Sequence, residues 1–234
     1  MKLGYDRDTW EKEGFKEPIV YDQHTLCSIR LSGSSGSGKT ISLLYSMYHL
    51  EPCILFFYDF KGDFKELQGC RNYKSGDDVV KALEDYYEEF QKARRHEYVQ
   101  ERQNILVIDE YAALVSFLDK KSGERIKTIV QTFLMLGRGV QKGFGTWICS
   151  QRADSSLFPG GARENFMIIQ HMGRSTPEDW RMNFPGIERP DMDYGTSQGI
   201  VWADGYSPRN ILIPHITNMD RLISGVKDHL NGIW

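Results

Sequence analysis

The chain has 234 residues, 40% of them hydrophobic, with a formal net charge of −3. That supports one well-packed domain and excludes a uniformly basic coat, while leaving room for a basic patch or a basic channel within an assembly. Cys27, Cys53, Cys70 and Cys149 lack metal-site or disulfide-framework spacing and suit reduced thiols in the cytoplasm, no apolar run approaches the ~18 residues of a membrane span, and the charged opening "MKLGYDRDTWEKEG" does not read as a signal peptide.

After a 17-residue N-terminal extension, the first strong element is "TLCSIRL" (Thr25–Leu31), alternating and β-prone. It runs into "SGSSGSGKT", which matches G-x-x-x-x-G-K-[ST] at Gly33, Gly38, Lys39 and Thr40. A helix follows over Thr40–Leu50, stopped by Glu51-Pro52. Strand, glycine-rich loop and helix in that order form a P-loop, a cradle for the phosphates of ATP. Its bed would be Gly33, Ser34, Ser35, Gly36, Ser37, Gly38, Lys39 and Thr40. The backbone N–H groups surround the phosphates, Lys39 reaches the β/γ-phosphates, and the Thr40 hydroxyl takes Mg²⁺.

"CILFFYDF" (Cys53–Phe60) has the length and apolarity of a buried strand. A polar helix spans about Asp77 to Gln103, with Val80, Leu83, Tyr87 and Phe90 on its apolar face. "NILVIDE" (Asn104–Glu110) is the third strand. "YAALVSFL" is helical, "DKKSG" is a turn, and a helix capped by Ser122 runs from about Glu124 to Val140. "GTWICSQ" (Gly145–Gln151) and "NFMIIQH" (Asn165–His171) are further strands. Gly199–Pro214 reads as a hairpin turning at Asp204-Gly205, and the last 18 residues, 217–234, as a short amphipathic helix. The alternation predicts an α/β domain with a mainly parallel sheet covered on both faces, ending in a β-hairpin and a helix; no linker divides 1–234 into two domains.

Asp109 and Glu110 close an apolar strand and so point to the carboxyl edge of the sheet, where α/β proteins bind ligands. One carboxylate can hold the metal and the other can serve as base for the attacking water. Gln151 ends the next strand, and its amide can hydrogen-bond the γ-phosphate without adding charge. Arg138, in "LMLGRGVQKG", is either a cation complementing a helix C-terminus or an arginine finger reaching a neighbouring subunit's nucleotide; Arg174 and Arg181 compete for that role.

"SGSSGSGKT", "YDFKGDFKEL", "ILVIDEYAALVSFL", "LGRGVQKGFGTWICSQRAD" and "QGIVWADGYSPRNILIP" together resemble the successive motifs of the FtsK/HerA superfamily of DNA-pumping ATPases, over roughly Pro18 to Ile216. The resemblance implies a RecA-like fold, with Lys39 and Thr40 on nucleotide and Mg²⁺, Asp109 as the Walker B acid, Glu110 as catalytic base and Gln151 as sensor. It also implies a homo-oligomer, a hexameric ring passing DNA through a pore. Asp59 and Lys61 match the family's D-P-K-G strand end, with Phe60 in place of proline. The chain reads as a minimal motor core without membrane insertion, as in conjugation proteins or viral packaging ATPases; the latter would be associated with the virion. In such a ring the loops Ser116–Lys127 and Arg152–Asn165 would line the pore, offering Lys120, Lys121, Arg152 and Arg163 to DNA phosphates. A small-molecule kinase and a nucleotide-dependent switch or scaffold are the alternatives; the first lacks an arginine-bearing lid here and the second has little use for Glu110.

Overall fold

From Ile29 onward, parallel strands alternate with helices, and both ends of the chain fold back to widen the same sheet. A computed structural model describes residues 1–151, 154–190 and 193–233. The elements are β1 (Lys2–Asp6), α1 (Arg7–Glu13), β2 (Pro18–Val20), β3 (Ile29–Gly33), α2 (Lys39–Tyr48), β4 (Ile54–Asp59), β5 (Tyr73–Ser75), α3 (Asp78–Arg94) and β6 (Asn104–Asp109). They continue as α4 (Tyr111–Phe117), α5 (Lys120–Leu136), β7 (Phe144–Ser150), β8 (Ile168–Met172), α6 (Pro177–Asn183), β9 (Gln198–Ala203), β10 (Arg209–Leu212) and α7 (Met219–Asn231).

The strand order is β2-β1-β10-β9-β8-β3-β7-β6-β4-β5. The six strands from β8 to β5 are parallel; β9, β10, β1 and β2 extend the sheet antiparallel. Because β3 sits between β8 and β7 while the chain next moves to β4, the sheet has its topological switch point beside β3. Parallel pairing also brings the last residues of β3, β4, β6, β7 and β8 to one edge, with Asp59 opposite Asp109 and Gly33 opposite Met172.

The period-2 pattern of the strands sorts two apolar layers. Leu55, Phe57, Ile105, Val107, Trp147 and Cys149 pack with Leu43 and Met47 of α2 and Leu222, Val226 and Leu230 of α7. On the other face, Tyr58, Leu106, Ile108, Phe144 and Ile148 pack with α3, α4 and α5. All four cysteines are buried and free.

Several elements differ from the sequence reading. The helix expected to reach Gln103 stops at Arg94, where the Gln141 side chain donates to Ala93 O at 2.8 Å and Tyr98 O at 2.9 Å and so closes the helix end. Its buried stripe is Val79, Leu83, Tyr86, Phe90 and Ala93, which leaves Val80 and Tyr87 at the flank. The turn expected around "DKKSG" does not form: α5 begins at Lys120, because Asp119 rather than Ser122 is its N-cap and accepts from Lys121 N at 2.9 Å and Ser122 N at 3.2 Å. The first 17 residues are not loose. β1 pairs with β10, and Arg209 ties them, donating to Asp6 at 2.8 Å and Glu17 at 2.6 Å. The unanticipated α6 is set by a capping box between Thr176 and Asp179 with Pro177 in its first turn. Among the described residues, no helix is long and apolar enough to cross a membrane.

Phe133 lies 1% exposed where α5 meets α3, with ring contacts to Tyr86, Tyr87 and Phe90. Phe133→Ala should therefore cost about 3–5 kcal/mol in chemical denaturation, with Phe133→Leu losing far less. A loss below about 1 kcal/mol would place the centre of this layer elsewhere.

Candidate nucleotide-binding site

The loop Ser34–Gly38 leaves β3 and enters α2 under tight steric control. Gly38 has φ +90°, and a Cβ there would stand 2.7 Å from the backbone nitrogen of Ser197. At Gly33 a Cβ would lie 2.6 Å from Met172 O. Side chains at these positions would push away the strands that hold the loop. Ser197 N–H donates to Ser37 O at 2.9 Å, and the Thr196 hydroxyl donates to Gly36 O at 3.3 Å. The loop is thus braced by the turn before β9. No side chain caps α2, so its first N–H groups face the cleft. The buried Ser37 hydroxyl has no partner among the described residues.

Opposite the loop, β6 ends in Asp109 and Glu110 follows it, both 7% exposed. Glu110 takes the left-handed conformation, φ 54°, as it caps α4, which turns its side chain back toward the loop. Its carboxylate is shared: Lys39 Nζ lies 3.1 Å from Oε1 and Lys61 Nζ 3.2 Å from Oε2. Burial pushes Glu110 up, but Lys39 and Lys61 outweigh it and hold the carboxyl below the ordinary glutamate range. Asp109 is pushed up to about 6, chiefly by burial, with Lys39 opposing and Glu110 and Asp59 adding to the rise. Two adjacent carboxylates therefore have opposed proton affinities.

Lys61 is delivered by the turn after β4. The fully buried Asp59 accepts from Gly62 N at 2.9 Å, Phe64 N at 3.0 Å and the Tyr73 hydroxyl at 2.8 Å. Gly62 supplies a positive φ of 73°. The turn forms without the proline that Phe60 replaces, because Asp59 satisfies its N–H groups directly.

A cleft of about 350 Å³ joins these parts, lined by Ser34, Ser35, Gly36, Gly38, Lys39 and Thr40 of the P-loop with Lys61, Glu110 and Gln151. Gln151 stands just past β7, as its strand-end position predicts. Gly33 begins the loop behind the cleft and Asp109 lies beneath Glu110. The remaining expected residues scatter. Arg138 sits in a short 3-10 turn between α5 and β7, at the edge where the parallel strands begin, and its charge acts on Cys27 and Asp204. Arg174, exposed beside the P-loop, lies 3.6 Å from Asp193, and Arg181 is exposed on α6. Lys120 and Lys121 are exposed on the first turn of α5, whereas Arg125 pairs with Glu84 and Lys127 with Glu124. Arg163 lines a different cavity, and Arg152 lies outside the described residues. Sequence reasoning assigned no role to Lys61 or to the Thr196–Ser197 brace. The first stood in a motif it had marked; the second is about 160 residues from the loop it supports and carries no local signal.

No protein-family model and no curated protein matches the chain. Solved structures do. The second and third ATPase domains of EssC from Geobacillus thermodenitrificans align over 98% of this chain with a TM-score of 0.69 and 14% identity. The pCW3 conjugation coupling protein TcpA, in a monomer form with ATPγS, aligns over 94% with a TM-score of 0.69 and 18% identity. The fold is that of RecA-like P-loop ATPases. A third such structure is the genome packaging NTPase B204 of Sulfolobus turreted icosahedral virus 2, in complex with ATPγS. It aligns over 79% of this chain and 96% of its own, with a TM-score of 0.50 and 12% identity. The chain spans 47% of the EssC structure and 67% of TcpA.

The hydrogen bonds of Asp59 make its turn a structural prerequisite of the site, because that turn delivers Lys61. Asp59→Ala orphans two backbone N–H groups and a tyrosine hydroxyl, and should lower unfolding free energy by at least about 2 kcal/mol. Lys61→Met, in the same turn, should cost under about 1 kcal/mol, because its ion pair is partly solvated. Equal losses in the two variants would show that Asp59 does not hold the turn.

Proposed function

We propose that the chain is an ATP-hydrolysing motor domain that moves DNA. The observation that carries this reading is the convergence of Lys39, Lys61, Glu110 and Gln151 on one P-loop cleft. The P-loop N–H groups and Lys39 bind and orient the triphosphate, with the uncapped end of α2 adding donors. Lys39 then exchanges Glu110 for phosphate oxygens. Lys61 keeps Glu110 ionised and turned toward the cleft, so that Glu110 can accept a proton from the attacking water. Gln151 orients that water or the γ-phosphate. Thr40 and Asp109 would hold Mg²⁺, whose charge neutralises the phosphate oxygens.

DNA as cargo rests on the FtsK/HerA-like motifs and on the likeness to a conjugation coupling protein and a genome packaging NTPase. The cleft opens at one sheet edge while Arg138 stands at the other. That position is remote from its own cleft, so as an arginine finger Arg138 would serve a neighbour's nucleotide, in a closed homo-oligomeric ring, which we take as a hexamer of the 1–234 motor domain. Lys120 and Lys121 are the exposed, unpaired cations among the described residues of the proposed pore segments, and a ring repeats each contact, which suits a net charge of −3.

The deciding experiment is ATP hydrolysis with and without DNA. The protein should hydrolyse ATP, and DNA should stimulate it several-fold. Glu110→Gln should bind ATP yet lose at least about 100-fold in turnover, and Lys39→Ala should lose nucleotide binding. Hydrolysis that DNA does not stimulate would leave an ATPase with another cargo. No hydrolysis would remove the motor reading altogether.

Assembly has its own test. Arg138→Ala should fold and bind ATP but turn over poorly, and mixing it with Glu110→Gln should restore part of the activity at shared interfaces. With subunit exchange verified, failure to recover would exclude Arg138 as the residue acting in trans.

A further inference from the structure

Arg30 is fully buried in the middle of β3, three residues before the P-loop, on the face opposite Ile29 and Leu31. Strand alternation places it where β6 and β7 carry Leu106 and Ile148. One of its nitrogens, Nη2, caps the end of α6, donating to Asn183 O at 3.1 Å and Met182 O at 3.5 Å. Nε and Nη1, which carry three further N–H groups, have no hydrogen-bond partner among the described residues, and the guanidinium carbon lies 5.8 Å from the centre of the Phe166 ring. Arg30 lines a cavity of about 350 Å³ whose walls include Phe166, Phe184 and Trp202. Half-buried Arg163 and exposed Glu164 complete its charged lining, and neither has an ion pair with another described residue.

A buried guanidinium without a counter-charge is costly, and a purely structural arginine has its donors satisfied. Burial, and secondarily the charge of Arg163, push the Arg30 guanidinium down to about 9. Nothing in the nucleotide cleft uses this residue. The lining sums to one net positive charge, two arginines against Glu164, and the rest of the wall is largely apolar and aromatic. Such a pocket favours a monoanion with an apolar body over a phosphate dianion, whose desolvation one net charge does not offset. Its volume lies within the range of small-molecule sites. We propose that this cavity is a second ligand site, separate from the nucleotide cleft, that takes an aromatic or aliphatic monocarboxylate, with its carboxylate on Arg30 and Arg163 and its body against Phe166, Phe184 and Trp202.

Isothermal titration with naphthalene-2-carboxylate and its neutral isostere naphthalene-2-carboxamide tests the site. The intact chain should bind the acid at least about tenfold more tightly than the amide. That preference should persist in Lys39→Ala, which separates this cavity from the nucleotide cleft. It should vanish in Arg30→Met, which keeps the side-chain volume, and fall several-fold in Arg163→Gln. Should Arg30→Met fail to fold, the acid–amide comparison in the unaltered protein and the Arg163→Gln result still decide. No binding of the acid, equal binding of acid and amide, or a preference that Arg163→Gln leaves unchanged would each overturn the proposal. Loss of the preference in Lys39→Ala alone would assign the acid to the nucleotide cleft and overturn it too.

Discussion

The carboxylate of Glu110 is held between two ammonium groups from two separate loops, Lys39 of the P-loop and Lys61 of the turn after β4. Glu110 itself stands at the end of β6, in a backbone conformation that only the start of α4 imposes. Three chain segments are therefore registered to one another by one buried charge. Without a second cation, Lys39 could leave Glu110 for phosphate only by stranding a carboxylate in a site that is 7% exposed. Lys61 removes that penalty. The same arrangement keeps Glu110 ionised beside an Asp109 that burial drives toward protonation.

The position of Lys61 depends in turn on Asp59, whose carboxylate is occupied by two backbone N–H groups and a tyrosine hydroxyl rather than by a cation. Asp59 and Asp109 face each other in the β4–β6 register, yet one accepts three hydrogen bonds that organise a turn and the other is pushed up to about 6, chiefly by burial. Environment, not residue type, separates their roles. The P-loop is braced from the opposite side by Thr196 and Ser197, just before β9. β9 is one of the four antiparallel strands, so the widened part of the sheet has a direct purpose: it carries the brace. Arg209, pairing with Asp6 and Glu17, fastens the first strand to that same region. The nucleotide loop thus rests on contributions from both ends of the chain.

Much of the fold was legible because its signals are local. The apolar runs of β4, β6 and β7, the glycine-rich loop and the spacing of Leu222, Val226 and Leu230 each report their element directly. Errors arose where two local signals competed or where a distant side chain intervened. Ser122 was expected to cap α5, but the Asp119 carboxylate, accepting from two N–H groups, set the helix start. The end of α3 was fixed by Gln141, almost fifty residues later, which no window around Arg94 contains.

By itself the sequence determined the P-loop, the strand-end acids Asp109 and Glu110, and the placement of Gln151 at the same sheet edge. Those follow from motif spacing and from the rule that parallel strands present their carboxyl ends together. Tertiary structure alone decided that Lys61 shares Glu110 with Lys39, that Thr196 and Ser197 hold the loop, and that Arg138 faces away from the cleft. It also decided that Arg30, an unremarkable member of an alternating strand, is buried with no ion pair among the described residues. These depend on which segments the sheet order makes neighbours, and in this sheet the neighbours of β3 are strands more than a hundred residues away in sequence. Periodicity reports which face a residue takes; only the packed sheet reports what stands opposite.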